Sequence, residues 1–186
     1  INVTIVEMAN QVISPIDYEM ACEVHQHLIS KGINLVLETE LQAINEADNK
    51  LTVTLNNQTV DTDMVIMAIG VVPETKIVKN TEIATNSRGA IIVNDKMETS
   101  IKDIYAVGDA IEIKNFVTNK ASYVPLAGPA NKQGRIAADN ICGFDRHYQG
   151  TQGSSILKVF DLTVASSGIN EKTARELNLN YDKVYT

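Results

Sequence analysis

Asp109 is an acceptor-only carboxylate that follows Gly108 at the end of the run Ile104-Tyr105-Ala106-Val107. These residue types in this order suit a hydroxyl-rich ligand. The β-branched and aromatic run predicts a strand buried on both faces. Gly108 takes a side chain away where something approaches the backbone. The acid then falls at the strand's carboxyl end, where open α/β sheets bind ligands. The competing role for Asp109 is to cap the element that follows, for which aspartate is equally suited.

Glu7 is a second strand-end acid, closing the run Asn2–Val6. In dinucleotide-binding folds an acid there receives the ribose hydroxyls, and its charge repels a 2′-phosphate. The glycine-rich turn that accompanies such an acid, about 20 residues upstream, is not in this chain. Taken alone, Glu7 reads more plainly as a solvated glutamate. Pro125 can start a helix, and the free backbone amides at a helix start favour negative charge. Lys132 and Arg135 further along are read as surface charges. Gly70 closes a second apolar run, Met64–Ile69, and permits a tight turn before Pro73.

Other reactive types yield nothing. Cys22 and Cys142 form no Cys-x-x-Cys pair, and Cys22 falls in the middle of a predicted helix. His25 and His27 are two apart on that helix and face different directions. No metal site is expected.

The elements that must position these residues are legible from periodicity. Asn2–Glu7 predicts a strand, and Ser14-Pro15-Ile16-Asp17 a helix start with Ser14 as cap and Pro15 at the first helical position. Ile16, Met20, Val24 and Leu28 supply one apolar face, Gly32 the stop, and Ile33–Leu37 the next strand of a β-α-β unit. Leu41–Ile44, Leu51–Leu55 and Gln58–Val60 predict an antiparallel meander turning at Asn56-Asn57. Met64–Ile69 reads as another buried strand. Ala90–Val93 and Ile111–Ile113 are further strands, Pro125–Cys142 a helix ended by Gly143, and Ile156–Phe160 with Leu162–Ala165 a strand pair. Asn170 caps a short helix over 171–177.

The chain has 186 residues and a formal charge of −7, with its basic residues scattered. That excludes a nucleic-acid surface, which needs a positive stripe to displace counterions. No apolar run reaches membrane-spanning length, and there is no signal-peptide pattern. Two isolated cysteines fit a cytoplasmic protein. Opening on Ile1 inside a strand is expected of a piece of a longer protein.

The segment Thr99-Ser100-x-x-x-Ile104-Tyr105-Ala106-x-Gly108-Asp109 resembles the second flavin-binding motif of the FAD- and NAD(P)-linked disulfide oxidoreductases. Val124-Pro125-Leu126-Ala127-Gly128-Pro129-Ala130-Asn131-Lys132-Gln133-Gly134-Arg135 and Gly150-Thr151-Gln152-Gly153-Ser154-Ser155 resemble the branch holding coenzyme A-disulfide reductases, NADH-dependent persulfide reductases and NADH oxidases. The resemblance runs over essentially the whole chain.

It implies an α/β fold: a partial Rossmann-like NAD(P)-binding unit over 1–78, the C-terminal part of an FAD-binding domain over 79–149, and the start of an α+β dimerisation domain over 150–186. It implies FAD contacts at Gly108, Asp109, Ala110, Leu126 and Ala127, with Asp109 on a ribityl hydroxyl. Glu7, Ile69 and Gly70 would contact the nicotinamide coenzyme, Glu7 favouring NADH over NADPH. The substrate implied is a small disulfide or persulfide, such as coenzyme A disulfide, turned over by a homodimer. A water-forming NADH oxidase and a non-catalytic nucleotide-binding or assembly module are the alternatives. The family's glycine motifs and redox cysteine are not in these residues, so no catalytic residue is assigned and the chain alone is expected to be inactive.

Overall fold

Thr4, Ile5 and Val6 are all β-branched and form a short strand, β1 (Thr4–Val6). It pairs in parallel with β2 (Asn34–Val36), Ile5 opposite Leu35. Between them runs the helix α1 (Tyr18–Ser30), giving the expected β-α-β unit. The helix begins later than Ser14-Pro15 predicts. Ile13 has a φ of 55°, and the Ile16 amide donates to the Ile13 carbonyl, so residues 13–16 close a turn instead. Asp17 takes the N-cap position but gives its own helix no side-chain bond. The buried stripe is Ala21, Val24, His25 and Leu28, and Met20 is 56% exposed rather than buried. A strict four-residue spacing drifts around a helix of about 3.6 residues per turn, whereas alternating three and four holds one face. Gly32, at a φ of 81°, ends the helix as expected.

The meander follows as β3 (Leu41–Ala47), β4 (Lys50–Leu55) and β5 (Thr59–Thr62), antiparallel in that order. Asp48 and Asn49 both have positive φ, as a two-residue hairpin turn requires. Beyond it, Met64–Gly70 forms no ladder, contrary to expectation: Ile66 is 80% and Ile69 84% exposed. A buried strand needs a neighbour to share its ladder and layers packed over both faces, and no strand of this chain pairs with this segment. Ile104–Val107 departs from expectation for the same reason. Its one ladder contact is the Tyr105 bridge to Glu98, and Ile104 and Val107 are exposed.

The next strands are β6 (Ile91–Ile92), parallel to β7 (Ile111–Lys114), which pairs antiparallel with β8 (Ala121–Ser122). The helix α2 (Ala127–Ile141) starts two residues after Pro125, with Leu126 as N-cap. Ile91, Met97, Ile111, Ile113, Ala137 and Tyr148 make the core they share. The chain then returns beside β7: the Tyr148 amide donates to Asp95, Asn115 bridges Thr151, and the Phe116 amide donates to the Thr151 carbonyl at 2.9 Å.

β9 (Ser155–Val159) and β10 (Leu162–Ser166) pair through Phe160-Asp161. Val159, Leu162 and Val164 pack against the core of Ile16, Ala21, Val24 and Leu28. The last helix, α3 (Glu171–Glu176), is capped by Asn170, whose side chain accepts from Thr173 at 3.0 Å. The computed structural model describes residues 1–186, grouped as residues 1–69 with 156–186 in one unit and 70–155 in another. No helix is long and apolar enough to cross a membrane.

Charge pins the C-terminal residues to the first unit. Lys183 pairs with Glu19 at 3.1 Å and with Glu171, while Tyr185 and Tyr181 donate to those same carboxylates. Bonds from its own backbone, Tyr185 and Lys183 hold Glu19 down to about 2, and Lys183 with Tyr181 lowers Glu171. Lys183 is raised, chiefly by Glu171. The lowered acids stabilise docking above the ordinary carboxyl value of about 4.3 and release it as pH falls; raised Lys183 contributes below about 10.4 and loses its part as pH rises. The segment is therefore expected to stay docked between about pH 5 and 10 and to detach in acid. NMR of the Tyr181 and Tyr185 rings checks this, and unchanged signals from pH 6 down to below about pH 2, where Glu19 takes up its proton, would contradict it.

Candidate functional site

Gly108, Asp109 and Ala110 form a single 3-10 turn between Val107 and β7. Gly108 has a φ of 75°, and a Cβ there would meet the Ala130 Cβ at 3.7 Å, an ordinary contact. Glycine is therefore demanded by backbone conformation rather than by lack of room. The Gly108 amide donates to Gln133 Oε1 at 2.8 Å. Gln133 is on α2 and only 1% exposed, so one buried amide ties the turn to the helix.

Asp109 lies inside the turn, whose cap position is Val107, so it is not the cap. Its side chain is exposed, and its backbone carbonyl accepts from the Tyr123 hydroxyl at 3.0 Å. Burial, with the Asp109 charge adding to it, pushes the Tyr123 phenol up, so that hydroxyl keeps its proton and remains a donor. At the start of α2, Ala130 donates to the Leu126 carbonyl. Pro129 has no N–H, and the helix offers Ala127 and Gly128 no acceptor. The second unit thus draws together Gly108, Asp109 and Ala110 with the helix that Leu126 and Ala127 begin. A carboxylate that accepts from hydroxyls and amides that favour developing negative charge suit a polyhydroxylated, electron-accepting ligand.

The first unit holds Glu7 immediately after β1. Its amide donates to Val36 at 2.9 Å, its carbonyl accepts from Thr39 at 3.0 Å, and its carboxylate accepts from the Ala9 amide at 2.8 Å. The acid is fixed at the carboxyl edge of the parallel β1–β2 pair, where α/β folds bind ligands. Ile69 and Gly70 belong to the extended segment where one unit gives way to the other. Gly70 has a φ of 100° and open space where a Cβ would project.

Sequence reasoning missed Gln133 and Tyr123. The signal for Gln133 is its place on the face of Ala130 and Ala137, a polar residue at a core position. Its neighbours Lys132 and Arg135 are exposed, as surface charges are. Cys22 and Cys142 are both free thiols. His25 is buried and accepts from the Val12 amide at 3.2 Å, while His27 lies 3.1 Å from Asp161, so the two turn to different partners.

Residues 1–134 match the family described as pyridine nucleotide-disulphide oxidoreductase. An NADH oxidase of Methanocaldococcus jannaschii is 35% identical over 94% of this chain and 39% of its own length. Reduced CoADR-RHD of Bacillus anthracis superposes with a TM-score of 0.92 at 50% identity, over 98% of this chain and 33% of that one. An NAD-dependent persulfide reductase from A. fulgidus gives 0.92 at 37% identity, over 97% and 34%. The chain thus spans well under half the length of the relatives it matches.

Proposed function

The chain belongs to the pyridine nucleotide-disulphide oxidoreductase family, and from that we propose that the whole protein passes electrons from NADH through FAD to a small disulfide or persulfide. Coenzyme A disulfide is the substrate class favoured, with the protein acting as a cytoplasmic homodimer. The observation that carries this reading is the buried Gln133 bond, which brings the Asp109 turn and the start of α2 to one place. The donor set fits a flavin: Asp109 accepts from a ribityl hydroxyl, and the amides after Leu126 favour charge on the pyrimidine side of the ring. Gly108 and Ala110 supply backbone beside it. FAD, when bound, supplies the hydride acceptor and electron relay; these residues orient and polarise it.

Glu7 accepts from the adenosine ribose hydroxyls and disfavours a 2′-phosphate, while Ile69-Gly70 passes beside the nicotinamide. The functional domains in this reading are 1–78 for NADH, 79–149 for FAD, and 150–186 as the beginning of the dimerisation domain. No residue here is assigned the redox thiol role, Cys22 and Cys142 included.

A water-forming NADH oxidase is the second reading, favoured by the M. jannaschii relative. Purified full-length protein is expected to be yellow, to bleach with NADH under anaerobic conditions, and to recover colour on adding coenzyme A disulfide. Recovery with dioxygen alone, producing water, would select the oxidase reading. A colourless protein that consumes no NADH after incubation with FAD would overturn both and favour a non-catalytic module.

A further inference from the structure

The residues after Glu7 are irregular up to Tyr18, yet they are held firmly. Gln11 is 3% exposed, and its amide nitrogen donates to the Ile16 carbonyl at 2.9 Å. The Lys172 ammonium reaches it from α3, donating to Gln11 Oε1 at 3.2 Å and to the Ser14 carbonyl at 3.1 Å. Asn170 Nδ2 donates to the Pro15 carbonyl at 3.0 Å. In return the Asp17 carboxylate accepts from the amides of Glu171, at 3.0 Å, and Lys172, at 3.1 Å. Asp17 thus serves a helix far away in sequence rather than its own. At the other end of the loop, the Ala9 amide holds the Glu7 carboxylate. An irregular loop orders only if its carbonyls find donors, and ammonium offers three N–H groups with no acceptor of its own.

We propose that Asn170, Glu171 and Lys172 form a clamp that positions the coenzyme loop, with Lys172 as a positioning residue for NADH. The clamp fixes residues 8–17, and with them the edge at which Glu7 meets the ribose. Coenzyme affinity is then set partly by a segment more than 150 positions away in the chain. The inference rests on the coenzyme reading of Glu7.

The test uses full-length protein, with NADH and NADPH as coenzymes and coenzyme A disulfide as acceptor. Lys172→Met is expected to raise the KM for NADH roughly tenfold, the scale of a lost charge-assisted bond, and to lower kcat far less. Lys172→Arg is expected to restore most of the affinity. If the methionine variant does not fold, Lys172→Gln, which keeps a neutral N–H donor group without the charge, carries the same expectation at smaller size. Unchanged KM in a folded variant overturns the clamp. Glu7→Ala separates the two ideas. If it leaves both the NADH KM and the NADH-to-NADPH preference intact, the Glu7 reading fails; if it moves them while Lys172 variants do not, the clamp alone fails.

Discussion

Full-length protein carrying Asp109→Ala is expected to purify largely without flavin. The Asp109 side chain is exposed, and the residue's bond within the chain is made by its backbone carbonyl, to Tyr123. Removing the carboxylate should therefore cost the fold within about 0.5 kcal/mol, as at other surface sites. A hydrogen bond between a carboxylate and a ligand hydroxyl is worth about 1.5–3 kcal/mol, so flavin affinity should fall roughly ten- to a hundredfold. Asp109→Asn, which keeps one acceptor without the charge, should fall between. Flavin content by absorbance and FAD binding by fluorescence quenching check this. Stoichiometric flavin and unchanged affinity in Asp109→Ala would remove Asp109 from the site.

The second large effect is on stability. Gly150 has a φ of 88°, and an added Cβ would sit 2.4 Å from the Lys114 carbonyl oxygen at the end of β7. Both the conformation and the space exclude a side chain. Strain of this kind costs on the order of 1–3 kcal/mol before the clash is counted. Relief of the clash must move either β7 or the Thr151 bridge to Asn115. Gly150→Ala is expected to destabilise the second unit by about 3 kcal/mol or more. Gly70→Ala is the control: its φ is 100° but the space beside it is open, so strain alone applies, at about 1 kcal/mol. Urea unfolding of the 186-residue chain measures both. Equal losses would show that the Lys114 contact gives way without cost.

The β-α-β unit, the meander, the Asn170 cap and the stops at Gly32 and Gly143 were legible because each rests on local chemistry: a period, a cap or a positive φ. Met64–Gly70 and Ile104–Val107 were not, because an apolar run states what a segment is able to bury and says nothing of a neighbour to bury it against. The start of α1 escaped for a related reason. Ser14-Pro15 is a good local start signal, but residues 13–16 close a turn of their own, and the demand of Asn170–Lys172 on Asp17 and Pro15 comes from the far end of the chain. At the candidate site, Gly108 and Asp109 stood out by type and order, and Leu126 and Ala127 through the resemblance. Gln133, which joins them, is visible only once α2 has a known face.

The first unit is discontinuous, made of residues 1–69 and 156–186, and that sets an order of events on the ribosome. Ile16, Val24 and Leu28 leave the exit tunnel long before Val159, Leu162 and Val164 exist to cover them. At bacterial to eukaryotic elongation rates, about 5–20 residues per second, residues 70–155 occupy roughly 4–17 s of synthesis. The second unit, contiguous over residues 70–155, emerges whole in that interval. The nascent α1 face must meanwhile wait for the hairpin that closes it, which makes that interval the window in which a holding chaperone would matter most.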